Sequence, residues 1–294
     1  MFIATTLLLS GAVASSPNAE PTNTDPEAFA LSHSDSSLEL GLFAREGVSF
    51  TTSVVQTRLA IGDTFGVELE VPFVILDDGQ GSGGDGTSVV GNVSMVGLIR
   101  GAFSDSSRVE GGLGVALPTA LVDGSGDQIA QQFGQLMLAF DPPYRFGDDQ
   151  LAFFIPLRLE KLAIHHTYVR VDGRLTLLIP IDDRSNDDVG GAMSARIAAG
   201  YRPGPFDLGV AFGATALYGD SFWGLDDTVE GQMYIEPKVG FLLAAEPGSL
   251  RGFRLDTRLR VPIDPPAGGT GLSSDQILGA YALFVELGYR FEAL

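Results

Sequence analysis

The sequence predicts an all-β fold, a 12-stranded antiparallel transmembrane β-barrel with a short helix in the third extracellular loop. Three observations carry that prediction. Segments of about ten residues alternate strictly between two kinds of side chain, as strand faces must. One face of each segment is aliphatic and banded by aromatics, while the other holds charges and small residues. The segments number twelve, and the connections between them alternate between short turns and longer loops.

The chain opens with an apolar run, Phe2 to Leu9, ending in Ala12-Val13-Ala14. This small-x-small pattern reads as a secretory signal, residues 1–14. A Pro/Asn/Thr-rich periplasmic tail is expected over 15–36, with the barrel spanning 37–294. No other stretch reaches the ~18 apolar residues of a membrane-spanning helix. A membrane form of this chain must therefore close its strands into a barrel, which satisfies every backbone group without water.

Strands are predicted at 37–46, 49–61, 65–77, 89–103, 106–120, 150–161, 166–181, 189–202, 206–218, 229–243, 250–263 and 277–291. The last shows the pattern best. Tyr281, Leu283, Val285, Leu287, Tyr289 and Phe291 share one face, against Ala280, Ala282, Phe284, Glu286, Gly288 and Arg290 on the other. Likewise Phe253, Leu255, Thr257, Leu259, Val261 and Ile263 oppose Arg254, Asp256, Arg258 and Arg260.

With both termini periplasmic, short turns fall near 62–64, 104–106, 161–165, 202–205 and 244–249. Longer outer loops fall at 78–88, 121–149, 182–188, 219–228 and 264–276; the first outer connection, Gly47-Val48, is short. Parity closes when 126–141 is a helix and not a thirteenth strand. Ile129, Phe133, Leu136 and Phe140 lie at helical spacing, Asp127 can cap them, and Asp141-Pro142-Pro143 ends the run.

On this register the inward positions include Glu39, Arg45, Arg58, Glu68, Glu70, Arg100, Glu110, Arg158, Glu160, Arg170 and Asp172. Around the rest of the wall follow Arg174, Arg196, Asp207, Glu236, Lys238, Arg254, Asp256, Arg258, Arg260, Glu286 and Arg290. These are twelve basic and ten acidic groups, so the interior is nearly balanced. The chain's formal charge of −19 therefore resides mostly in loops and termini. A twelve-strand barrel has a backbone diameter of roughly 24 Å, so long side chains from opposite walls nearly meet. Either a narrow charge-lined pore or a lumen closed by ion pairs follows.

Strong acidity excludes nucleic-acid binding, which needs clustered Lys and Arg. The absence of cysteine excludes disulfides and thiolate metal sites. The histidines, His33, His165 and His166, lie in the tail and at a periplasmic turn, away from the outer rim where a membrane hydrolase needs its base. Adjacent His165 and His166 point apart on a strand and make a poor metal pair. The stretches Asp77 to Thr87, Asp182 to Asp188 and Gly219 to Asp227 read as acidic outer loops rather than calcium sites. No catalytic residue, metal or cofactor is predicted.

The stretches "SLELGLFARE", "VVQTRLAIGDTFGVELEVPF", "GNVSMVGLIRGAF" and "GGLGVALPTA" resemble bacterial outer-membrane barrels of the transporter type, grouped with phenol-degradation MetA-pathway proteins. In that family a Gly-containing periplasmic turn precedes a Glu-bearing strand, as Gly62 and Glu68 do here. A Leu-Pro-Thr-Gly-like end leads into a long outer loop, matched by Leu117-Pro118-Thr119 with Ala120 in the last place. The resemblance covers residues 37–120 and, more loosely, the final strand. It implies an outer-membrane barrel passing small molecules, hydrophobic ones included, and no enzyme. The final strand, with Glu286, Gly288 and Phe291, also resembles the signal read by the barrel-assembly machinery.

The expected function is thus a passive pore or transporter in the bacterial outer membrane, with bilayer and lipopolysaccharide around it. The alternatives are a closed structural barrel whose acidic outer loops bind a partner or envelope component, a membrane enzyme, and a soluble secreted β-protein.

Overall fold

The computed structural model describes residues 34–45, 48–76, 87–120, 143–145, 150–163, 166–181, 189–203, 205–218, 230–244, 252–264 and 281–291. Thirteen strand segments form one antiparallel sheet: β1 (Ser34–Arg45), β2 (Val48–Ile61), β3 (Phe65–Leu76), β4 (Thr87–Val90), β5 (Ser94–Ser104), β6 (Ser107–Ala116) and β7 (Gln150–Leu162). The sheet continues through β8 (Thr167–Pro180), β9 (Gly190–Tyr201), β10 (Phe206–Tyr218), β11 (Glu230–Ala244), β12 (Gly252–Asp264) and β13 (Tyr281–Phe291). Apart from β4 and β5, which both pair with β3, each strand pairs with the next in sequence, and β13 returns to β1 with Ser34 opposite Phe291. The wall therefore closes on itself through the β1–β13 pairing. Both β4 and β5 pair with β3, so they are two parts of one wall strand and the barrel has twelve.

The expected strand over 89–103 is broken, and a proline explains why. Between the pairs Glu70–Ser94 and Phe73–Val90, β3 contributes Val71 and Pro72 while the facing strand contributes Gly91, Asn92 and Val93. Three residues against two is a bulge. Pro72 has no N–H to extend the ladder, and its carbonyl instead accepts a 2.8 Å hydrogen bond from Gly91. The bulge turns Asn92 inward, where it is 1 % exposed.

Two further boundaries move. β6 ends at Ala116 rather than 120, because Thr119 leaves the ladder to bond Asn92. β1 starts at Ser34, inside the expected tail, because β13 supplies partners for the polar run Ser34-Asp35-Ser36. The signal segment, the tail through residue 33, His33, His165, Trp223, the helix at 126–141 and the acidic outer stretches lie outside the described residues, apart from Thr87 in β4.

Side chains sort by parity. Leu113 is 65 % exposed and Ile99 62 %, and both face away from the axis. Such a continuous apolar exterior suits hydrocarbon rather than water. Exposed aromatics gather at the end carrying the short turns: Phe65, Phe103, Tyr201, Phe206, Phe253 and Tyr289. Each stands within two residues of a strand terminus at that end, as in an interfacial girdle.

Inside, bulky aromatics lie across glycines of the neighbouring strand. Phe154 occupies the space that a Cβ on Gly114 would need, and Tyr234 does the same over Gly213. These glycines let rings lie flat against the wall and narrow the lumen at those heights.

Candidate functional site: a charged lumen

The inward faces of five consecutive strands place Arg100, Glu110, Arg158, Asp172 and Arg196 directly opposite one another in turn. Signs alternate from strand to strand, so every neighbour is an attractive pair. Glu110 is the hub of this row. Its carboxylate accepts from Arg58, from Arg100 Nε at 2.7 Å and from Arg158 Nη1 at 3.4 Å. Arg158 also donates to Glu68 at 3.0 Å.

The row then runs on around the barrel. Asp172 accepts from Arg170 Nε at 2.7 Å and Arg196 Nη1 at 3.2 Å. Arg196 reaches Glu236 at 2.7 Å, which also accepts from Arg260 Nε at 2.8 Å. Arg258 bonds Glu39 and lies 3.8 Å from Glu286, whose main partner is Arg254. Arg254 also reaches Asp256 at 3.4 Å, and Lys238 joins Asp256 to Asp207. Register puts like charges opposite each other at Glu39–Glu286 and Lys238–Arg258. Diagonal bonds from Arg258 to Glu39 and from Lys238 to Asp207 and Asp256 relieve that repulsion.

Of the twenty-two inward positions read from the sequence, all but Arg45 have described side chains. Twenty of these make an ion pair or, for Arg174, a hydrogen bond to a tyrosine hydroxyl; Glu70 is held by Arg145. Only Arg290 stands apart: it is 9 % exposed, and its Nε lacks a hydrogen-bond partner. Parity misses Asp35, which lies 3.7 Å from Arg254, and Arg202, which donates to Glu160 at 2.8 Å. Asp35 precedes the apolar alternation and Arg202 follows a strand, so neither carries a periodic signal.

The larger omission comes from the third loop. A 3₁₀ turn, Pro143–Arg145, enters the barrel. Arg145 grips Glu70 with two parallel bonds of 2.7 Å from Nε and Nη2. The Tyr144 ring stacks on Phe154 at 4.4 Å, and its hydroxyl accepts from Arg174 at 2.7 Å. Around these rings Val96, Leu98, Ala116, Ala152 and Leu178 form an apolar cluster inside the barrel.

Asn92 holds the turn in place. Its side-chain amide donates to the Tyr144 carbonyl at 2.9 Å, and its backbone N–H donates to the Arg145 carbonyl at 2.6 Å. Its side-chain oxygen accepts from the N–H groups of Thr119 and Ala120, each at 3.0 Å. The Pro72 bulge, the Asn92 clamp and the inserted turn are one device, and it narrows the lumen from one side.

Two cavities remain in the charged interior, of about 220 Å³ and 250 Å³. His166, the one described histidine, is exposed at a turn with φ of 62°.

No family model matches the chain, and no curated protein matches it either. Among solved structures it is similar to an outer membrane channel from Pseudomonas putida F1, at 13% identity and TM-score 0.57, covering 93% of this chain and 100% of that one. It is also similar to the NanC porin, at 6% identity and TM-score 0.54, covering 87% of this chain and 100% of that one. At such identities the likeness concerns the fold, and the fold is that of bacterial outer-membrane barrels.

Proposed function

We propose that this barrel is a passive outer-membrane pore for small hydrophilic solutes, narrowed on one side by the inserted turn. One observation carries the reading: the interior is lined by charged side chains around two cavities, a lining that suits passage of a polar solute. Charges along a wall replace part of the hydration of a passing polar solute. The same lining disfavours the hydrophobic solutes that the family resemblance implies. Membership of the MetA-pathway group, a signal at 1–14, contact with lipopolysaccharide and recognition of β13 by the assembly machinery belong to the same proposal. Support for the last comes from the role of β13 in closing the wall against β1.

Planar-bilayer recording of the refolded protein tests the pore. Discrete conductance steps are expected, together with uptake of small polar solutes into liposomes. Neither current nor uptake from the folded protein would remove the transport function.

The continuous ion-pair network favours a second reading, a closed structural barrel whose outer loops bind an envelope partner. Arg254→Ala, Arg258→Ala and Arg260→Ala separate the two. Under the closed reading they lower stability without giving current; under the pore reading they alter conductance.

A further inference from the structure

We infer that the lumen holds a binding site for a small organic carboxylate, centred on Arg174 and Arg170, which makes the channel select anions; this rests on the pore reading above and names its solute class. Six guanidinium groups, from Arg158, Arg170, Arg174, Arg196, Arg258 and Arg260, line both cavities. The two cavities therefore share an arginine-rich boundary. Asp172 is the one carboxylate that lines the smaller cavity among the described residues. Cations outnumber anions on its surface, even though the wall behind is balanced.

Arg174 is distinctive among these six. No carboxylate lies within ion-pair distance of it among the described residues. Its contacts are the Tyr144 hydroxyl at 2.7 Å and the faces of Tyr144 and Phe154, at 5.3 Å and 5.2 Å from the ring centroids. Stacking and one hydrogen bond fix the guanidinium plane, and Glu68 acts on its charge only from beyond ion-pair distance. Arg170, four residues away on the same inward face of β8, spends Nε on Asp172 and makes no further ion pair. Its terminal nitrogens remain available. A pre-oriented guanidinium fork that holds no carboxylate among the described residues is a receptor for a planar oxyanion.

The cavity shape favours an organic anion over a bare one. Pro156, Ala192 and Tyr234 give the smaller cavity an apolar wall beside the arginines. Its 220 Å³ equals the liquid volume of about seven waters, enough for a compact monocarboxylate. The chain's negative charge does not oppose this at the site. Loop carboxylates act through solvent screened over about 8 Å at physiological salt, while the guanidinium groups line the cavity itself.

Calorimetric titration of the folded, detergent-solubilised protein with sodium benzoate, and separately with inorganic phosphate, tests the site without requiring conduction. Benzoate is expected to bind in the millimolar range and more tightly than phosphate. Arg174→Gln should weaken benzoate binding about tenfold through loss of a charge-assisted contact, and Arg174→Lys should restore part of it. Because Arg174 holds no carboxylate among the described residues, the variant should keep the heat-modifiable migration of the folded barrel.

Absence of benzoate binding, equal affinity for phosphate, or unchanged affinity in Arg174→Gln overturns the assignment. If that variant does not fold, the wild-type reversal potential in a potassium chloride gradient decides the selectivity: chloride preference supports the inference, and potassium preference overturns it. Benzoate binding without current would leave the site standing and remove the pore.

Discussion

Glu110→Ala should destabilise the folded barrel by about 3–5 kcal/mol, the range for removing one partner from a buried ion pair. The carboxylate is 1 % exposed and neutralises Arg58, Arg100 and Arg158 together. Of the three, Arg158 keeps Glu68 and Asp172 as partners. Arg58 and Arg100 lose their only salt bridges among the described residues, and three cations then face one another in a narrow space. Urea unfolding in lipid vesicles, followed by gel migration, measures the loss. Glu110→Gln should cost less, since an amide oxygen still accepts, but it leaves the charge unbalanced. A Glu110→Ala barrel as stable as wild type would mean that water, rather than this carboxylate, satisfies the row.

Asn92→Ala should release the inserted turn. The side chain supplies one donor and one acceptor that together meet Tyr144, Thr119 and Ala120. Each buried group left unpaired costs about 1–3 kcal/mol unless water reaches it. At the mouth of a barrel water does reach such groups, so the cheaper outcome is movement of the turn away from the wall. Arg145 would then lose its seat on Glu70, and the lumen would widen. The expected result is larger single-channel conductance with unchanged heat-modifiable migration. Arg145→Ala should shift conductance the same way, by removing the anchor rather than the clamp. Reduced current in both variants would show that the turn props the channel open.

The wall of this barrel is legible in the sequence because lipid imposes a period of two on every strand. Leu287 and Tyr289 against Gly288 and Arg290 announce their faces without knowledge of any neighbour. Parity also puts Glu68, Glu110, Arg158 and Asp172 on one kind of face, although Arg108 of β6, with the parity of Glu110, is absent from the inward positions read from the sequence. It fails where the determinant is a contact distant in sequence. Nothing around Tyr144 or Arg145 shows that they enter the barrel, since Glu70 lies 75 residues away. Two local signs did exist: Pro72 within an otherwise regular strand, and Asn92 interrupting an apolar alternation. Both mark the bulge, but neither names its partner. The sequence likewise shows a balanced interior; only the geometry shows that Arg174 has no carboxylate in ion-pair contact among the described residues.

The central claim is that hydrocarbon lies outside this wall and a charged aqueous space within it. Met193 and Ser194 are successive residues of β9, the first 53 % exposed outward and the second lining the smaller cavity. The chain contains no cysteine, so a single cysteine at either position takes one nitroxide cleanly. Power-saturation measurement in bilayers should find the label at Met193 colliding mainly with oxygen and the label at Ser194 mainly with a water-soluble nickel chelate. The opposite pattern, or equal access of the chelate to both, would contradict the account.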